Sequence, residues 1–194
     1  RTGYANLSQL ISQGRLRSPK GSSQVSWFEI MHRSEGLLAL LGGRGSILEQ
    51  AVEPALILCQ LKEAFGNRLY LKWSDHCHVR TPELFRKTRA LAAQLSIPTL
   101  AAHEVLYHCP QRQPLQDVLT AIRHNQTVAT LGRLLLPNKQ YALLSPRDFI
   151  ERYGAHPADV ERTLEVALRC SFSMDQIRYR YPYKAICGHE SSTD

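Results

Sequence analysis

Residues 97–128 read IPTLAAHEVLYHCPQRQPLQDVLTAIRHNQTV. Ile97 to Ala102 is a short apolar run, suited to a strand covered on both faces. His103 to His108 then puts titratable groups where such a strand would end, the usual place for sites in α/β folds. From Arg112 to Arg123, Leu115, Val118, Leu119 and Ile122 fall at i, i+3, i+4 and i+7, one face of a helix. Strand, polar crossing and amphipathic helix in that order predict a βα unit.

The same alternation runs outward in both directions. Towards the amino terminus, Thr81 and Pro82 open a helix as N-cap and first residue, with Leu84, Thr88, Leu91, Ala92 and Leu95 inward and Arg86, Lys87 and Arg89 outward. Arg68 to Ser74 reads as a strand. Pro54 starts a helix with Ala55, Leu58, Leu61 and Phe65 on one face and Gly66 as its stop. Leu37 to Leu41 is an apolar strand followed by Gly42-Gly43-Arg44-Gly45. That loop lacks GxGxxG spacing and is read as a connector. Ser26 caps a short helix through His32 with Glu29 at the capping-box position. Gly3 to Gln13 forms a helix with Tyr4, Leu7, Leu10 and Ile11 on one side. Towards the carboxyl terminus, Ser145 and Pro146 open a helix through Tyr153. Pro157 opens another with Val160, Leu164, Ala167 and Leu168 in a stripe. The expected fold is α/β, mostly parallel strands with outer helices.

The chain has 194 residues, 43% of them hydrophobic, enough for one substantial core. No apolar run approaches the ~18 residues of a membrane span, and no signal peptide is visible. Five cysteines, with no CxxC pair, fit a reduced, cytoplasmic thiol set better than a disulfide framework. The net charge of +7 favours polyanions such as nucleic acid, and serves solubility equally well. Arg15, Arg17 and Lys20 form a basic loop with Pro19 and Gly21. It is either a phosphate contact or a solvated turn, and it lacks P-loop spacing.

Three clusters carry metal-ligand residue types. His103-Glu104-Val105-Leu106-Tyr107-His108 superficially matches HExxH, but its histidines are five apart. Five residues turn a helix by roughly 500°, so the two rings cannot chelate one ion as an i, i+4 pair does. On a strand, Glu104, Leu106 and His108 would share a side. Asp75-His76-Cys77-His78 is contiguous, cannot converge on one ion, and reads as a loop after a strand. Cys187-Gly188-His189-Glu190 sits in a polar tail. Arg178 to Tyr183 mixes bases with tyrosines, either a single-strand contact or an edge strand.

Four patches carry a family resemblance. Gln111 to Arg123 resembles the end of the PHP (polymerase and histidinol phosphatase) domain of bacterial C-family DNA polymerases, closest to the error-prone, DNA polymerase III alpha-like branch. Tyr4 to Ser8 with Arg15 to Gly21, Phe65 to Leu71, and Cys170 to Ser173 with Tyr181-Pro182 resemble other stretches of the same domain, in the same order. The resemblance covers residues 1 to about 182, with 183–194 a frayed tail or the start of a linker. It implies a partial PHP-type distorted β/α barrel lacking its first units, an arrangement that exposes strand edges and apolar surface. It also implies that Glu104 stands at the Asp position, and Leu106 at the His position, of an Asp-x-His metal pair. Leucine cannot ligate, so Glu104, His103 and His108 are at most weak remnants of a degraded metal site, and no catalytic residue is expected in the chain.

By the same resemblance the whole protein is an error-prone, translesion DNA-directed DNA polymerase acting in DNA damage tolerance and repair. Its Mg2+-dependent catalytic carboxylates lie in a palm beyond this stretch. This part then acts as a scaffold without its own cofactor, touching the polymerase core, DNA through Arg15, Arg17 and Lys20, and through the complete polymerase the sliding clamp. The alternatives are a metal-dependent PHP phosphoesterase using Glu104, His103 and His108, or a free-standing basic nucleic-acid-binding module.

Overall fold

The computed structural model describes residues 1–50 and 53–177. Its centre is a three-stranded parallel sheet: β1 (Ala39–Leu41), β2 (Leu69–Trp73) and β3 (Thr99–Ala101), in that order. Ala39 pairs with Leu69, and Leu71 with Thr99, so the strands are nearly flush. The β1–β2 connection holds α3 (Ile47–Gln50) and α4 (Pro54–Phe65), and the β2–β3 connection holds α5 (Thr81–Leu95). These successive βαβ units make a mixed α/β fold that fits a partial β/α barrel, in agreement with the expected α/β class. Ahead of them lie α1 (Thr2–Leu16) and α2 (Trp27–His32); after them come α6 (Gln113–His124), α7 (Pro146–Tyr153) and α8 (Pro157–Arg169).

Local signals place most helix ends. Ser26 Oγ accepts from the Glu29 amide, and the Glu29 carboxylate accepts from the Ser26 amide at 2.8 Å, a complete capping box. Gly66 stops α4 at φ 56°, a conformation that favours a residue without a Cβ. Ser145 caps α7 through the Asp148 amide, with Pro146 at the first helical position. Thr81 lies inside α5, with Arg80 in the cap position and no side-chain cap bond.

The main core joins Leu69 and Leu71 of the central strand to Leu58, Leu61 and Phe65 of α4, with Leu48, Ala92 and Ile97. Each is at most 6% exposed. Burial of such an aliphatic or aromatic side chain contributes about 1.5–3 kcal/mol, against about 0–1 for an exposed ion pair, so this layer holds the fold together. A second cluster, Trp73, Ala101 and Tyr153, seats α7 and α8 at the other end of the sheet.

The junction of α8 with the sheet is polar. Asp159 is 1% exposed. Its carboxylate accepts from Thr99 Oγ1 at 2.6 Å, Trp73 Nε1 at 2.8 Å, Arg162 Nη1 at 2.8 Å and Arg89 Nη1 at 3.1 Å. One carboxylate thus ties β2, β3, α5 and α8. Arg162 also donates to the Thr99 carbonyl at 2.8 Å, which occupies a backbone acceptor of the outer strand β3.

Several apolar stripes do not face the core. On α6, Leu115, Val118, Leu119 and Ile122 are 45–70% exposed; Ala121 is the buried residue, and the helix packs chiefly on the turns beside it. On α8, Leu164 and Leu168 are exposed, whereas Val160 of the same stripe packs against Trp73, Ala101 and Tyr153, and Asp159 points in. On α1 only Leu10 of the four apolar residues is buried; Tyr4 stacks on Phe172 instead. Arg89 belongs to the Asp159 network rather than to a purely outward basic face. The stretch after Ala101 is not a strand, so the alternation expected for Glu104, Leu106 and His108 does not apply. Tyr107 instead makes an isolated bridge with Ala142.

Candidate functional site

All three strands run the same way, so Leu41, Trp73 and Ala101 end on one edge of the sheet. The loops that follow converge there around a cleft of about 1040 Å3. One wall is the glycine loop after β1, where Gly42, Gly43 and Gly45 all have positive φ. A Cβ at Gly42 would lie 2.0 Å from the Lys72 carbonyl oxygen, so only glycine lets the loop approach β2. The opposite wall comes from Arg133, Leu135, Leu136 and Tyr141.

At the base lies a stack of rings. The His76 imidazole is nearly parallel to Tyr141, with centroids 4.0 Å apart, and rests on His103 at 4.7 Å. His103 Nε2 is 3.0 Å from the Ala142 carbonyl, which can only accept, so this nitrogen carries the proton. Nδ1 then accepts from the Tyr153 hydroxyl at 3.0 Å. His76 Nε2 donates to the Glu104 carbonyl at 3.2 Å, and the Asn138 amide donates to the His76 carbonyl at 2.7 Å. Burial is the main reason both imidazoles titrate below the ordinary histidine value. It also pushes the Tyr153 hydroxyl up to about 12. The stack is an interlocked packing element of three rings.

That bonding bears directly on metal chemistry. An imidazole binds a metal through a lone pair, and the lone pair of His103 is taken by Tyr153. Glu104 lines the cleft, while Leu106 and His108 are exposed beyond it. Among the described residues no group of three or more His, Cys, Asp or Glu side chains could hold a metal ion. In the 75–78 loop, Asp75 Oδ1 accepts from the Cys77 amide at 2.8 Å and the loop turns back on itself. The 187–190 cluster and the 178–183 run lie outside the described residues.

The basic loop after α1 is divided in use. Arg17 donates to Glu29 at 2.7 Å and to the Gln24 carbonyl at 3.0 Å. Arg17 and Ser26 together hold the Glu29 carboxyl down at about 2. Arg15 and Lys20 are exposed. Sequence reasoning did not single out Lys72, Tyr141, Tyr153 or Asp159. Apart from Arg162, one helical turn from Asp159, the residues they meet lie about 30 to 90 residues away in the chain.

No family model matches the chain. Among curated proteins, the error-prone DNA polymerase of Pseudomonas fluorescens is 34% identical over 194 residues, 98% of this chain and 18% of that protein. Error-prone DNA polymerase 1 of Agrobacterium fabrum is 31% identical over 182 residues, 94% of this chain and 16% of the relative. The error-prone DNA polymerase of Pseudomonas syringae pv. tomato is 33% identical, again over 18% of its length. No helix of the described residues is long and apolar enough to cross a membrane. Over nearly its whole length, then, this chain is similar to one segment, less than a fifth, of error-prone DNA polymerases.

Proposed function

We propose that the chain is the PHP portion of an error-prone DNA-directed DNA polymerase and that it serves there as a scaffold, with no metal-dependent chemistry of its own. In this reading the remainder of the polymerase carries the Mg2+-dependent extension of DNA across damage. This segment packs against that core and meets the DNA backbone through Arg15 and Lys20. Arg17 contributes by holding the loop to α2.

One observation carries the reading: similarity over nearly the whole chain to a segment of such polymerases, with the strand-end histidine bonded to Tyr153 and Ala142 rather than free to ligate. The test exchanges this chain for the aligned segment of the Agrobacterium fabrum polymerase. Primer extension by the chimera is expected to persist, and the isolated chain should purify with well under one equivalent of zinc, manganese or iron. Stoichiometric metal with phosphatase activity lost on Glu104→Gln would overturn the scaffold role. A folded chimera unable to extend a primer would overturn the assignment to the polymerase.

A further inference from the structure

The sheet-end cleft has a second property, independent of the scaffold reading. Five cations, Arg44, Lys72, Arg80, Lys87 and Arg133, face three carboxylates, Glu49, Glu83 and Glu104. Glu49 is already occupied by the Gly45 amide at 2.7 Å and by Arg80 at 3.4 Å. Lys72 is the unusual member. It rises from the central strand and is half-buried, and its stem lies along the glycine loop: a Cβ on Gly43 would be 3.4 Å from both Cε and Nζ. Among the described residues its ammonium has no ion-pair partner. Nor do the amides of Gly43 and Arg44 donate to any described residue.

We infer that this cleft binds the di- or triphosphate group of a nucleotide directly, without a metal ion. An ammonium set among low-dielectric walls, beside free amides on a positive-φ glycine loop, is an arrangement that attracts a compact anion. The cations come from four separate elements: the loop after β1, β2, α5 and the turn carrying Arg133. A single phosphate touches few of these; a phosphate chain reaches several. The cleft volume leaves room for the attached nucleoside.

The test is calorimetric titration of the chain with inorganic pyrophosphate, dATP and dAMP, at fixed ionic strength in EDTA. Saturable one-site binding is expected for dATP and pyrophosphate with Kd below about 1 mM, and for dAMP at least tenfold weaker. Tighter binding of dATP than of pyrophosphate assigns the site to the nucleotide; the reverse assigns it to the free diphosphate and overturns the nucleotide claim. Lys72→Met keeps the stem and should weaken binding tenfold or more, whereas Lys20→Ala, on the distant basic loop, should not change it. If Lys72→Met does not fold, Arg44→Gln and Arg133→Gln, both at exposed positions, decide the matter by the same loss. No saturation, binding that requires added Mg2+, or binding indifferent to these variants overturns the proposal.

Discussion

Replacing Asp159 by Asn tests whether one carboxylate holds the carboxyl-terminal helices to the sheet. The side chain is 1% exposed and accepts from four donors on three other elements and its own helix. Asn keeps the shape, removes the charge and turns one acceptor into a donor that faces donors. Breaking a buried pair by removing one partner costs about 3–5 kcal/mol. Here the partners retain some water, Arg89 with its side chain 44% exposed and Arg162 with 30%, so part of that cost is recovered by solvation. The expected loss is about 2–4 kcal/mol, a large share of the ~5–15 kcal/mol that stabilises a typical domain. At about 2–4 °C per kcal/mol for a chain of this size, the melting temperature should fall by roughly 5–15 °C. Urea unfolding followed by tryptophan fluorescence is the assay, because Trp73 donates directly to this carboxylate. Arg89→Met in the same background should cost less than it does alone, as the two share a network. A loss under about 1 kcal/mol for Asp159→Asn, or strict additivity of the pair, would refute the account.

The remaining expectations are simpler. Gly3→Ala should destabilise despite a gain in helix propensity of about 1 kcal/mol, because its Cβ would sit 1.9 Å from the Gly36 carbonyl oxygen; a raised melting temperature would contradict this. Ser26→Ala should lose about 1 kcal/mol in urea titration through the broken capping box, and an unchanged midpoint would show the box to be idle. His76 and His103 have folded-state pKa values below 6.5, so the unfolded chain binds more protons as the medium acidifies. Their contribution is complete above about pH 6.5 and is lost as the pH falls towards the folded values. The urea midpoint should therefore drop between pH 7.5 and 5.5, less so in His103→Gln, and a flat or rising midpoint would exclude it. Leu119→Gln, at a position 53% exposed, should change stability by less than about 0.5 kcal/mol, whereas a loss above 2 would mean that the α6 stripe is covered.

What could be read from the sequence divides along the reach of the interaction concerned. Ser26 with Glu29, Pro54, Gly66 and Ser145 with Pro146 act over a turn or less, so their spacing alone places the helix ends. Strand order also follows, because two short βαβ connections leave little choice but neighbouring parallel strands. Periodicity, however, reports that a helix has an apolar side, not that anything covers it. Leu115, Val118, Leu119 and Ile122 have helical spacing and remain open, and on α8 the inward position went to a carboxylate that no hydrophobic pattern would select. The 103–108 stretch failed for a related reason. Its alternation would matter only on a continuing strand, and the Tyr107 bridge to Ala142, 35 residues on, bends it away from one. The same long-range packing sets His103 Nδ1 at 3.0 Å from the Tyr153 hydroxyl, 50 residues later. A ligand-type residue is therefore informative only with its hydrogen-bond partners, and here those partners join His76, His103, Tyr141 and Tyr153 in one packed stack. Among the described residues, the Lys72 ammonium in the cleft beside it has no ion-pair partner.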